Sequence, residues 1–154
     1  QIIVKQSNLL SLLGGKREVV GGTTCIRTLE SLYWYGVKLL NNPAEPFFIE
    51  KLIAWQHTGG KLPTKEEAFK AVLNKMRQEN LEEIIGETEI FIFPGYKFQV
   101  CEALVTNYHQ PESTLVLLIA AFVGKDWKKI YQGALDNSYR FLSYGDSSLL
   151  FKND

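Results

Sequence analysis

Two histidines, two pairs of adjacent carboxylates, two cysteines and two Gly-Gly-Lys triplets are the groups in this 154-residue chain whose types could do chemistry. His57 and His109 could serve as general bases, but neither has a Ser or Cys at a spacing that marks an activated nucleophile. Both are read as solvated loop histidines. A general acid needs a buried carboxylate, whereas Glu66-Glu67 suits the first turn of a helix, where negative charge faces the positive end of the dipole. Glu82-Glu83 offers nothing better. The triplets at 14–16 and 59–61 lack the earlier glycine and the following hydroxyl of a phosphate-binding loop, and are read as turns. Cys25 and Cys101 have no Cys or His at a zinc spacing. They are expected as two buried thiols in a reducing cytosol, with a single disulfide as the alternative. No catalytic, metal-binding or cofactor-binding residue is predicted.

What remains is an aromatic run, "LESLYWYGVKLL" at 29–40. A helix over this stretch turns about 100° per residue, so Leu32, Tyr33, Trp34 and Tyr35 cannot all face one core. Cys25, Leu29, Leu32, Tyr33, Gly36 and Leu40 share a stripe at the spacing of a buried face. Arg27, Ser31, Trp34 and Lys38 fall opposite, with Tyr35 on the flank. Arg27 and Lys38 can lie along the strip that carries the indole. A second element of the chain could pack there, the apolar 114–123 segment among them. Because Trp, Tyr and Arg dominate binding hot spots, the reading carried forward is a partner-binding face made of Arg27, Trp34, Tyr35 and Lys38.

The elements that must position these groups follow from local pattern. "IIVK" at 2–5 fits a short strand and "SNLLSLLGG" a single capped turn of helix. Gly21-Gly22 marks a break, and Thr23 or Thr24 caps a helix running to about Asn41. A helix is predicted over 46–57, apolar round most of its circumference. Thr64 and Glu67 form a capping box before an amphipathic helix whose stripe is Ala68, Phe69, Val72, Leu73 and Met76. The region 88–93 reads as a strand ended by Pro94-Gly95. Residues 96–108 fit strand and helix about equally. The run 114–123 is apolar on every side, and Asp126 caps a last helix with Trp127, Ile130, Tyr131, Ala134, Leu135 and Leu142 on one face.

Composition is that of an ordinary globular domain, 45% hydrophobic and 22% charged. Seventeen cationic and seventeen acidic side chains balance, so no global field draws the chain to a polyanion. Nucleic acid is therefore an unlikely partner by this reading. The longest apolar run is about half of what a bilayer-spanning helix needs, so no membrane insertion is expected. Residues 1–14 lack the basic region and cleavage site of a secretory signal, although the chain starts at Gln1 and a removed leader stays open.

Two local resemblances complete the picture. Ala120, Gly124 and Ile130 are spaced as in a helix-turn-helix, which implies that Lys128, Lys129 and Gln132 face a DNA groove. The segment departs from that motif at Val116, Leu117 and Leu118, where polar residues belong, and at Lys125, where an apolar one does. "LPTKEEAF" at 62–69 with "ENLEEII" at 79–85 resembles a helical stretch of fasciclin domains, without their closing strand motif, and implies no function here.

The sequence thus predicts a single α+β domain over 1–154. It is mostly helical, with four or five helices and a small antiparallel sheet around 88–93. The expected function is non-catalytic: a cytoplasmic accessory subunit or homo-oligomer docking a protein through the aromatic face. The alternatives are a DNA-binding regulator using 116–135 and an enzyme of unnamed reaction.

Overall fold

The computed structural model describes residues 1–15, 17–57 and 60–153. Lys16, Thr58 and Gly59 fall outside the described residues, so the turns expected at the two Gly-Gly-Lys triplets lie partly outside them. In chain order the elements are β1 (Ile2–Lys5), α1 (Gln6–Gly14), β2 (Val19–Gly21), α2 (Thr23–Asn41), β3 (Phe48–Ile49), α3 (Ile53–Gln56), α4 (Lys65–Gln78) and β4 (Glu83–Thr88). There follow β5 (Ala103–Asn107), α5 (Thr114–Val123), a 3-10 turn (Gly124–Asp126), α6 (Trp127–Asp136) and β6 (Ser147–Phe151). The chain divides into two compact units, Gln1–Glu18 with Thr28–Phe91 and Val19–Arg27 with Ile92–Asp154.

The α+β class holds, and five helices among the described residues reach nine residues or more. The chain is not mostly helical, and the expected antiparallel sheet is replaced by two three-stranded mixed ones, β1-β4-β3 and β2-β5-β6. Each contains one parallel pair, β3 with β4 and β2 with β5. Parallel neighbours need a long crossover connection, so no short stretch of sequence announces the pairing.

In the first unit, β1 alternates as a half-buried strand should, with Ile2 and Val4 inside and Ile3 and Lys5 outside. It runs antiparallel to β4, Ile2 opposite Gly86 and Lys5 opposite Glu83. The predicted helix over 46–57 is instead β3 and the single turn α3. Phe48 and Ile49 pair with Glu87 and Thr88, and the Phe47 ring occupies the space that a side chain at Gly86 would need. Sheet pairing there overrides the local helical pattern. The strand expected at 88–93 lies earlier, at β4, while Ile90 and Ile92 are buried without joining a ladder. Helix α1 is longer than the one turn expected.

Helix α4 is as its sequence requires. The Glu67 N–H donates to Thr64 Oγ1 (3.2 Å) and the Thr64 N–H to Glu67 Oε2 (2.7 Å), closing the capping box. Ala68, Phe69, Val72, Leu73 and Met76 are all buried. Opposite them, Gly36 of α2 brings the two helix backbones together, since a Cβ there would stand 2.2 Å from the Ala68 carbonyl oxygen.

In the second unit, β2 runs parallel to β5, Val19 opposite Ala103, and β6 runs antiparallel to β5, Asn107 opposite Ser147. Val20, Leu104, Thr106 and Leu150 make the buried face. The strand β5 settles the open segment 96–108, in which residues 96–102 are irregular. Helix α5 buries Val116, Leu118, Ile119, Ala120, Phe122 and Val123, and Phe122 meets Phe98 edge-on at 4.9 Å. Leu142, expected on the face of α6, lies beyond its end and is half exposed. Among the described residues no helix is long and apolar enough to cross a membrane.

Candidate functional site

The proposed docking face does not exist as an exposed surface. Every residue from Glu30 to Val37 is buried, and Trp34 and Tyr35 are each 2% exposed. The chain itself covers the side of α2 that the helical wheel turns outward. The Tyr35 ring stacks on Phe47 at 4.3 Å, Trp34 lies 6.0 Å from the His57 ring, and Ser31 Oγ shares a hydrogen bond with Thr88 Oγ1 (2.8 Å). Lys38 Nζ donates to the Phe48 carbonyl (2.8 Å) and pairs with Glu50 (2.9 Å) rather than covering an indole. Burial pushes the Glu50 carboxyl up, but the Lys38 hydrogen bond, the residue's own backbone N–H and the Lys38 charge together outweigh it and leave the pKa lowered. Arg27 is half-buried. The wheel stripe is also shifted: Cys25 and Leu40 are exposed. The two cysteines are free, which removes the disulfide alternative, and only Cys101 is buried.

Chemistry-bearing groups converge elsewhere, at one end of the sheet β2-β5-β6. Parallel strands end on the same side, and ligands of open α/β sheets bind outside their carboxyl ends. The sequence "VVGGTT" builds the first part. After β2, Gly22 takes φ 84°, donates its N–H to the Val105 carbonyl (2.8 Å) and accepts from the Ile26 N–H (3.3 Å). The chain thereby turns at once into α2. The first turn of α2 contains no acidic side chain, so the positive end of its dipole is not neutralised from within. The first turn of α5, which follows β5 through residues 108–113, contains none either.

The second part is "TNYH" at the end of β5. Thr106 Oγ1 and His109 Nε2 share a hydrogen bond at 3.2 Å, and the His109 N–H donates to the Tyr131 hydroxyl at 3.1 Å. The third part is the loop from α6 to β6. Asn107 Nδ2 donates to the Gly145 carbonyl (3.3 Å), and the Leu142 N–H donates to the Tyr108 carbonyl (2.8 Å). These bonds hold the loop at the end of β5.

The titratable groups of this edge are tuned by their surroundings. Burial lowers the His109 pKa from its ordinary 6.5, so the imidazole is neutral at pH 7 and able to accept a proton. Burial raises the pKa of Tyr131, against the hydrogen bond from the His109 N–H, and also raises that of Tyr108. Both phenols stay protonated. The Arg140 backbone N–H, 2.7 Å away, holds the Asp146 carboxyl below the usual range, and the Arg140 guanidinium adds to this. A neutral base thus follows β5, a fixed carboxylate precedes β6, and two helices whose first turns lack acidic side chains follow β2 and β5.

A cavity of about 410 Å³ in the same unit runs along β6, lined by Tyr108 and Ser148 towards this end of the sheet and by Phe151 and Asn153 towards the other. The first unit has a cavity of about 510 Å³ beside His57, Lys61 and Glu67. Its Thr64 and Glu67 are already used in the capping box. His57 Nε2 is buried there without a hydrogen-bond partner among the described residues. No group of three or more potential metal ligands occurs among the described residues.

The chain belongs to the queuosine biosynthesis protein family, which matches residues 11–150. It is 58% identical over 65 residues to the S-adenosylmethionine:tRNA ribosyltransferase-isomerase of Legionella pneumophila strain Corby, covering 42% of this chain and 19% of that one. The protein of the same name from Jannaschia sp. is 42% identical over 100 residues, 64% of this chain and 28% of its own. The crystal structure of S-adenosylmethionine tRNA ribosyltransferase from Thermotoga maritima superposes on 96% of this chain with a TM-score of 0.61 and 31% identity, over 38% of its own length. The chain thus spans less than two fifths of these relatives.

These relatives are enzymes whose names include tRNA. The expectation of a non-catalytic accessory subunit is overturned, and so is the judgement that nucleic acid is an unlikely partner. Net charge misled because it averages the whole surface, while a polyanion site needs only local groups. The DNA-binding alternative at 116–135 falls with them, and Lys129 is engaged with Asp126 at 3.4 Å.

Sequence reasoning missed Thr106, Asn107 and Asp146, read Tyr131 only as part of the buried face of the last helix, and set His109 aside as a loop residue. One signal was available. A β-branched pair, two glycines and two threonines before a helical stripe spell a strand that turns directly into a helix N-terminus.

Proposed function

We propose that this chain carries part of the active site of an S-adenosylmethionine:tRNA ribosyltransferase-isomerase, at the carboxyl ends of β2 and β5. The carrying observation is the 31% identity with the Thermotoga enzyme over 96% of this chain. The geometry fits the two substrates that the name states. S-adenosylmethionine has a sulfonium cation and a carboxylate, and the edge offers the Asp146 carboxylate and the open first turns of α2 and α5. A tRNA phosphate suits the same helix ends. His109, neutral at pH 7, is the group suited to take the proton released when an acceptor on the tRNA is ribosylated.

A cytoplasmic place of work belongs to this reading, because tRNA is the second substrate. So does one globular domain over 1–154, in which α2 contributes residues to both units.

The test uses S-adenosylmethionine labelled either in its ribosyl carbons or in its methyl group, incubated with the protein and unfractionated bacterial tRNA. Ribosyl label entering acid-precipitable tRNA, with no methyl label and a loss of at least about 100-fold in His109→Ala, is the expected result. Methyl label in the tRNA, or no label of either kind, would overturn the reading.

A further inference from the structure

The loop from α6 to β6 is an ordered device that holds one ring out into water. Across its base the Arg140 N–H donates to Asp146 Oδ2 (2.7 Å) and the Asp146 N–H returns to the Arg140 carbonyl (2.8 Å). The Gly145 N–H donates to the Leu142 carbonyl (2.9 Å). A Cβ at Gly145 would stand 2.4 Å from the Arg140 oxygen, so the turn closes without spare room. Leu142 takes φ 70°, a left-handed conformation that is unfavourable for a bulky residue and persists only where the surroundings impose it. Phe141 is the anchor, stacked on Tyr108 at 5.4 Å and edge-on to Tyr131 at 6.0 Å. Three residues further on, Tyr144 is 97% exposed.

A large aromatic ring that gains nothing from burial, on a loop whose backbone is fixed on both sides, is already organised for a flat partner. We propose that Tyr144 is a stacking platform for an unpaired base of the RNA substrate; the proposal rests on the tRNA reading above. The loop is pinned to Asn107 and Tyr108, next to His109 at the strand ends, and an enzyme that modifies a nucleotide must meet it out of the helical stack. Arg140, its side chain 75% exposed on the same loop, pairs with Asp146 at 3.5 Å and so helps to close the turn that carries the ring.

Filter binding of unfractionated bacterial tRNA to the parent, Tyr144→Ala and Tyr144→Phe proteins tests this. Base stacking on an aromatic ring predicts that the Ala variant binds about tenfold more weakly and the Phe variant within about twofold of the parent. Equal affinity of parent and Ala variant would overturn the platform while leaving the ribosyltransferase reading intact. A Phe variant as weak as Ala would place the contact on the hydroxyl and overturn stacking. A change in sedimentation of Tyr144→Ala without a change in tRNA affinity would make the residue a protein contact, with the same consequence. A parent protein that binds no tRNA would remove the underlying reading and this proposal together.

Discussion

Burial holds the His109 imidazole below its ordinary pKa of 6.5, which ties stability to pH with a definite sign. The unfolded chain takes up a proton near the ordinary value and the folded one only at lower pH. The contribution of His109 is therefore whole above about pH 6.5 and is lost as the pH falls towards and through the folded pKa. Urea midpoints measured from about pH 7 down to about pH 5 are expected to fall more steeply for the parent than for His109→Asn, whose side chain cannot charge. Parallel curves would show that the imidazole is not desolvated. Nothing in "TNYHQPEST" discloses this environment. The depressed pKa comes from packing by chain that lies far off in sequence, Tyr131 included. Trp34 failed for the related reason that a helical wheel shows where a residue points and not what stands there.

At the scale of elements, helices with a one-sided stripe and an explicit cap were legible. Helix α4 is the clearest, from its capping box to its five buried residues. Helix α2 was legible in extent but not in phase, because it is buried on more than one side and a stripe has no meaning there. The segment 46–57 was misread because two residues of parallel pairing, Phe48 and Ile49, depend on a strand nearly forty positions away. Two glycine substitutions separate local preference from packing. Gly36→Ala places a methyl against the α4 backbone and should destabilise by about 1–3 kcal/mol. Gly133→Ala, in α6 with open space around the new Cβ, should stabilise by about 0.5–1 kcal/mol through helix propensity. Urea denaturation of both variants checks the pair, and shifts of the same sign would contradict the close approach of α2 and α4.

At the scale of the whole molecule, local patterns placed the chain correctly in the α+β class, while composition and net charge pointed away from a nucleic acid partner. The candidate site is drawn from residues 21–25, 106–113 and 139–147, three segments that only the register of β2, β5 and β6 brings to one edge. A balanced net charge conceals such a place, and spacing along the chain cannot reveal it. The most direct measurement is ultraviolet photocrosslinking of labelled S-adenosylmethionine to the protein, followed by mass-spectrometric mapping of the modified peptides. Label is expected on peptides from 19–27, 106–113 or 139–147, competed by unlabelled S-adenosylmethionine. Competed label confined to α4 or the 510 Å³ cavity beside His57 would contradict it.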